Sequence, residues 1–236
     1  MRKLLFLCAL GLYAAGISYA DEIYFFPANK GILSGGKALE RWDLRAVTFN
    51  GAIEESDSSA VDWDISGTGI MSRYTDTLYG RLSYSFESVF VTADAEGENR
   101  KSEYLKSVNL LGLGVNFNFS IVSGWGIYAG YHTWGSAGSI EASSLRSSSL
   151  LSTEEDLQES GPSAGFCGSI SVGGIEINPG AGIVMLENAD VLGAGVDIVI
   201  KRLSLVLGIE SQTITKKASG ASNNMIMFNL GMRKDW

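Results

Sequence analysis

From residue 111 to residue 119 large apolar side chains occupy every second position: Leu111, Leu113, Val115, Phe117 and Phe119 alternate with Gly112, Gly114, Asn116 and Asn118. A period of two is that of an extended strand, whose successive side chains point to opposite faces. The same alternation recurs through the chain. Leu78, Leu82, Tyr84 and Phe86 oppose Tyr79, Arg81, Ser83 and Ser85, and Trp125, Ile127, Ala129 and Tyr131 oppose Gly126, Tyr128, Gly130 and His132. It returns around Phe166 to Val172, Ile175 to Met185, Leu192 to Ile200, Leu203 to Ile209 and Ile226 to Met232. One face of each strand is therefore bulky and apolar, and the other is glycine, serine or amide.

Connections carry a second pattern. Glu87-Ser88, Ser120 to Gly124, Gly173-Gly174 and Lys201-Arg202 are expected as tight turns. The segments Glu54 to Thr68, Gly97 to Glu103, Gly135 to Ser160, Glu187 to Ala189 and Lys216 to Asn223 are expected to connect the opposite end, most of them as long or polar loops. Ten strands result, at about 41–54, 69–86, 89–97, 104–119, 125–135, 161–172, 175–186, 190–200, 203–215 and 223–234, with eight as the alternative count. In the first strand Trp42, Leu44 and Ala46 are followed by Val47 and Phe49, which implies a change of phase.

Two all-β architectures bury such strands. In a soluble sandwich the apolar faces meet and the polar faces meet water, which calls for Lys, Glu and Thr on the outward positions. Here those positions hold Gly, Ser and Asn, although glycine weakens a strand. An apolar outer face and a small inner face suit a closed barrel in lipid, where every backbone group must be paired and no edge is tolerated. That inversion explains a hydrophobic fraction of 45% beside 29 Gly and only 19% charged residues. No stretch after the N-terminus approaches the roughly eighteen apolar residues of a membrane helix. The fold class is all-β: a transmembrane antiparallel up-and-down β-barrel of about ten strands.

Residues 1–20 have the pattern of a cleaved signal peptide: Arg2 and Lys3, an apolar run from Leu4 to Gly16, and a small-residue site at Ser18-Tyr19-Ala20. Residues 21–40 follow as a periplasmic or plug segment, and 41–236 form the barrel. Cleavage leaves 16 basic against 26 acidic residues, a net charge of −10, so nucleic acid is not an expected partner. It also leaves Cys167 as the single cysteine, so no intramolecular disulfide staples the fold.

With this pattern the chain resembles the bacterial outer-membrane β-barrel superfamily, and in size the small OmpA-like, OmpW-like and OmpX-like barrels. The resemblance covers about residues 41 to 236 and includes the final strand, where Ile226, Phe228, Leu230, Met232 and the terminal Trp236 match the aromatic-ended signal read by the barrel-assembly machinery. Trp236 stands where Phe is usual, and Lys234 fills a slot that is normally apolar. The resemblance implies export to the cell outer membrane, with outer-membrane lipid and the assembly machinery as partners.

Some members of that superfamily are enzymes. The single His gives His132-Thr133-Trp134, without the serine of the barrel deacylase motif, and is expected as a hydrogen-bonded inward residue near the loop end. No cofactor, metal or catalytic residues are expected; the acids near Glu54 to Asp64 and Glu154-Glu155-Asp156 have the pattern of solvated loops. The expected lumen-lining residues are Arg81, Asn116, Asn118, Tyr128, His132, Glu176, Asn178, Asp197 and Glu210. Arg81 is set against Glu176, Asp197 and Glu210 as a plug, since side chains nearly fill a barrel of eight to ten strands; inner-face glycines are expected to widen the bore. The expectation is a non-enzymatic surface protein or a narrow porin-like channel for small solutes. The alternatives are an adhesin acting through the Ser-rich loop 135–160 and, third, a lipid or peptide hydrolase.

Overall fold

The computed structural model describes residues 40–53, 62–98, 102–144, 147–217 and 222–235. The strands are β1 (Arg41–Ile53), β2 (Asp62–Tyr79), β3 (Leu82–Glu98), β4 (Ser102–Val122), β5 (Trp125–Ser144), β6 (Ser147–Gly168), β7 (Ile170–Val172), β8 (Ile175–Met185), β9 (Ala189–Ile200), β10 (Leu205–Lys216) and β11 (Ser222–Asp235). β7 continues β6 in the same register along β8, after a break at Ser169, so ten strands cross the wall. Each pairs antiparallel with its chain neighbours, and β1 pairs with β11 to close the barrel. The proposed signal peptide, nearly all of segment 21–40 and Trp236 lie outside the described residues.

The ladder that leaves Arg41 through Thr75, Ser85, Asn116, Gly130, Ser163, Val184, Val191, Ile214 and Asn223 returns to β1 at Ile53, a stagger of twelve residues. With ten strands at ordinary strand spacings, that stagger fixes a tilt of about 40° and a backbone radius of about 10 Å.

The turns between β2 and β3, β4 and β5, β7 and β8, and β9 and β10 gather at one end, where both Arg41 and Asp235 also lie. One expected turn is corrected. Glu87 and Ser88 lie within β3, and the chain reverses instead at Gly80-Arg81, where Gly80 takes φ +56°, a left-handed conformation that glycine adopts without a Cβ clash. The expected phase change in β1 is absent: Trp42 and Leu44 face out while Asp43, Arg45, Val47 and Phe49 face in along one unbroken register.

Heights differ around the rim. β4, β5 and β6 have 21, 20 and 22 residues, against 11 and 12 for β8 and β9. Since about 9 to 11 tilted residues span the bilayer, β8 is just long enough and the β4 to β6 side rises well beyond it. The expected loop Gly135 to Ser160 is accordingly strand: β5 runs to Ser144 and β6 starts at Ser147. Expected loops at Asp62 to Thr68 likewise belong to β2.

The outer face is an apolar belt. Met232, Leu230, Phe228 and Ile226 on β11, Ile175, Ile177 and Met185 on β8, and Phe117 and Phe119 on β4 are all exposed. On the tall side the belt ends at Phe90 and gives way to exposed Thr92, Asp94 and Glu96 on β3, with Ser107 and Asn109 beside them on β4. Thr92 donates to Asn109 at 3.0 Å, and Ser107 donates to Asp94. This change marks the upper membrane boundary.

Candidate functional site

The inward positions divide into two zones. Nearest the tight-turn end, β1 contributes Arg41, Asp43 and Arg45 on one phase, all buried. Arg45 Nη1 meets Asp197 Oδ2 of β9 at 2.7 Å and Asn229 Oδ1 of β11 at 3.0 Å, while its Nη2 meets Asp43 Oδ2 at 3.1 Å. Arg233 of β11 grips Asp43 with two donors, Nε at 2.6 Å and Nη2 at 3.0 Å, and reaches Glu176 of β8 at 3.2 Å. Arg41 joins Glu176 at 3.5 Å and Asp235 at 2.7 Å. Lys201, half exposed in the β9–β10 turn, closes on Glu176 at 3.2 Å. Planar guanidinium forks pair with carboxylates here, and Asp43, Arg45, Asp197 and Arg233 are buried at the centre of the cluster. The cluster ties β1, β8, β9 and β11 together across the bore.

Beside it, Arg73 of β2 pairs with Glu87 of β3 at 2.5 Å. His132 Nε2 and the Ser163 hydroxyl both lie 3.2 Å from Asn116 Oδ1, linking β5 and β6 to β4. Gln212 donates to Glu210 at 3.1 Å.

Above this polar half the interior is apolar. Phe49, Met71, Val91, Leu110, Trp134, Leu186, Ile214, Met225 and Met227 belong to one buried cluster whose members come from most strands. The β8–β9 turn is drawn onto it. Leu186 and Ala189 are buried, Asn188 is held by Glu159 of β6 at 2.6 Å, and the Lys217 ammonium donates to the Leu186 carbonyl at 2.5 Å.

Glycines admit bulk rather than widening the bore, which corrects the expectation. A Cβ on Gly112 would lie 2.9 Å from the Trp134 ring, and one on Gly114 would lie 2.5 Å from the His132 ring. A Cβ on Gly182 would strike the Tyr128 hydroxyl. The inner wall is small where a large side chain crosses from a neighbouring strand.

Of the nine expected lumen residues, Asn116, Asn118, Tyr128, His132, Glu176, Asn178, Asp197 and Glu210 are buried inside. Arg81 is not: it is exposed in the β2–β3 turn and donates to the Ile121 carbonyl. Its expected place is taken by Arg41, Arg45, Arg73 and Arg233. Their signal was present in the alternation of Arg41, Asp43 and Arg45 against Trp42 and Leu44, and the supposed phase change obscured it. His132 belongs to the polar half, because β5 continues for twelve residues above it. On β11, Ile226, Phe228, Leu230 and Met232 face outward as one apolar row. Among the described residues no group of His, Cys, Asp and Glu has the arrangement of a metal site. A recess of about 750 Å³ lined by Ala46, Ile70, Ile198, Leu207, Ile209 and Phe228 opens on the belt, outside the lumen.

No protein-family model matches the chain, and no curated protein matches its sequence. Solved structures do match in shape. The outer membrane protease OmpT from Escherichia coli superposes with a TM-score of 0.52 at 10% identity, covering 92% of this chain and 99% of its own. The chain has the outer-membrane β-barrel fold. Two further likenesses are weaker. The transport unit of the autotransporter AIDA-I from Escherichia coli has a TM-score of 0.45, 8% identity and coverage of 82% and 90%. Ail, the attachment invasion locus protein of Yersinia pestis, solved with the heparin analogue sucrose octasulfate, has a TM-score of 0.40, 11% identity and coverage of 83% and 99%.

Proposed function

We propose that this protein is an integral outer-membrane surface protein, non-conducting and non-enzymatic, whose barrel anchors a tall extracellular wall. The filled bore carries this reading. A charged cluster crosses it at the tight-turn end and an apolar cluster fills it above. A conducting channel of this strand number would need polar, hydrated space along its whole length. Leu110, Trp134, Ile214 and Met227 occupy that space with groups that exclude water.

The solute-channel alternative loses support for the same reason. His132 holds Asn116 in the polar half instead of standing free at the rim, so the hydrolase alternative loses the support of the chain's single histidine. In this reading residues 1–20 direct export and are removed, and the outward row Ile226, Phe228, Leu230 and Met232 of β11, followed in the sequence by Trp236, addresses the chain to the assembly machinery. The working surface is the Ser-rich hairpin of β5 and β6, the segment 135–160.

Planar-bilayer recording of the refolded protein tests the proposal. The expected result is a flat baseline. Discrete single-channel steps at ordinary holding potentials would overturn it. For the surface role, deleting residues 138–158 is expected to abolish attachment by cells that carry the protein while leaving the barrel heat-modifiable on gels; undiminished attachment counts against it.

A further inference from the structure

We infer that the lipid-facing recess over β1 holds one anionic phospholipid as a fixed ligand, with an acyl chain in the recess and the phosphate on Arg202 and Lys234. The inference goes beyond the proposed surface role and does not depend on it. The recess, of about 750 Å³, lies where β1 turns two short side chains outward. Ala46 is opposed by Leu230 on β11 and Ile70 on β2, and Thr48 by Phe228 and Thr68. Ile198, Leu207 and Ile209 continue the apolar rim over β9 and β10.

The tight-turn end of the same face is basic. Lys234 is exposed on β11, in the outward slot that is normally apolar, and pairs in register with Trp42. The Trp42 indole donates to the Ser72 hydroxyl at 3.0 Å, an aromatic group held at headgroup level. The β9–β10 turn brings Arg202 and Leu203 alongside: Leu205 pairs with Met232, the Arg233 N–H donates to the Ser204 carbonyl at 2.8 Å, and Arg202 and Leu203 are both exposed. Of the acids on this rim, Asp235 pairs with Arg41, Glu176 is buried against Arg41, Arg233 and Lys201, and Glu40 and Asp76 meet Tyr74. An ammonium has three donors and a guanidinium five, so either can take a phosphate oxygen beside the bonds it already makes.

Charges and recess share one vertical line. Because the strands tilt about 40°, a line up the barrel axis from Lys234 crosses β1 to Ile70, and one from Leu203 crosses β11 to Ala46, each about 16 Å higher. That is about half of the roughly 30 Å hydrocarbon core, the depth of one leaflet. A second copy fits this face less well. In a twofold contact the recess would meet its own image and stay unfilled, and Arg202 and Lys234 would approach like charges.

The test is native mass spectrometry of the full refolded barrel, released from detergent micelles doped with equimolar palmitoyl-oleoyl phosphatidylglycerol and phosphatidylcholine. The expected result is one phosphatidylglycerol retained per barrel, at least tenfold in excess over phosphatidylcholine. Arg202→Gln combined with Lys234→Gln is expected to abolish that preference. Ala46→Leu, which fills the recess, is expected to lower lipid occupancy at least tenfold. All three positions are exposed on the outer surface, so these variants should stay heat-modifiable. Equal retention of the two lipids, or an undiminished preference in the folded double variant, overturns the headgroup contact and the inference with it. Unchanged occupancy in folded Ala46→Leu overturns the recess as the site. Lipid-free dimers assign the face to a second copy and overturn the inference as well.

Discussion

At the residue scale the most consequential group is Arg45, buried to 1% and shared by Asp43, Asp197 and Asn229. Removing one member of a buried ion network leaves its partners charged and unpaired, at a cost of about 3–5 kcal/mol, whereas replacing the pair with apolar groups of similar volume is often neutral. Arg45→Ala is therefore expected to lower the unfolding free energy, read by urea titration and gel mobility, by about that amount. Arg45→Met combined with Asp197→Leu should recover most of it, because Arg233 still neutralises Asp43 with two hydrogen bonds. A double variant no more stable than Arg45→Ala would show that the cluster does not act through charge compensation. Gly112→Ala tests the neighbouring zone. Its Cβ would press on the Trp134 ring, and overpacking of this kind costs about 1–3 kcal/mol; pairing it with Trp134→Leu should relieve the loss. Inward acids and amides such as Glu176, Asp197 and Asn116 were legible from alternation alone. Their arginine partners were not, because pairing across a barrel depends on a stagger that one strand does not display.

At the element scale the wall has one weak seam. Most strand pairs share 11 to 20 register positions, but β6 and β8 share five, and β7 adds three. The interruption coincides with Pro179. In the common register Pro179 faces Gly168, and alternation turns its missing N–H toward that residue, so the Gly168 carbonyl lacks its ladder donor. Hydrogen exchange in detergent is expected to show the amides of β6 and β8 along this seam exchanging at least tenfold faster than those of β3, held on both sides by 17-residue pairings. Equal protection would mean that the seam is no weaker than the rest. Strand identity was legible for every element, because lipid on one side and a packed bore on the other impose period two throughout. Strand length was not. Above the membrane the outward face changes to Thr92, Asp94 and Asn109, so polarity there resembles a loop although the backbone remains paired. The β2–β3 turn was misplaced for a related reason: Glu87-Ser88 looks like a polar break, yet Glu87 is buried against Arg73.

At the scale of the whole molecule, the apolar belt and the filled bore predict where Trp42, Trp125 and Trp134 stand. Trp42 and Trp125 lie near the tight-turn end with 52% and 39% exposure on the outer face, where aromatic girdles meet the membrane interface. Trp134 is 1% exposed, inside the barrel among apolar side chains. A soluble sheet protein of the same sequence would bury the first two, since nothing else could cover them. Single-tryptophan proteins refolded into vesicles of brominated phospholipid separate these cases. Those retaining Trp42 or Trp125 are expected to lose a large share of their fluorescence relative to unbrominated vesicles, more strongly when the bromines sit near the headgroup than near the bilayer centre. The protein retaining Trp134 should keep nearly all of its emission in both lipids, because contact quenching falls off within a few ångströms and the barrel wall lies between. Strong quenching of Trp134 would mean that lipid reaches the lumen and that the bore is not packed. Unquenched Trp42 and Trp125 would mean that the belt does not face lipid, and the inside-out arrangement of apolar surface would fail with it.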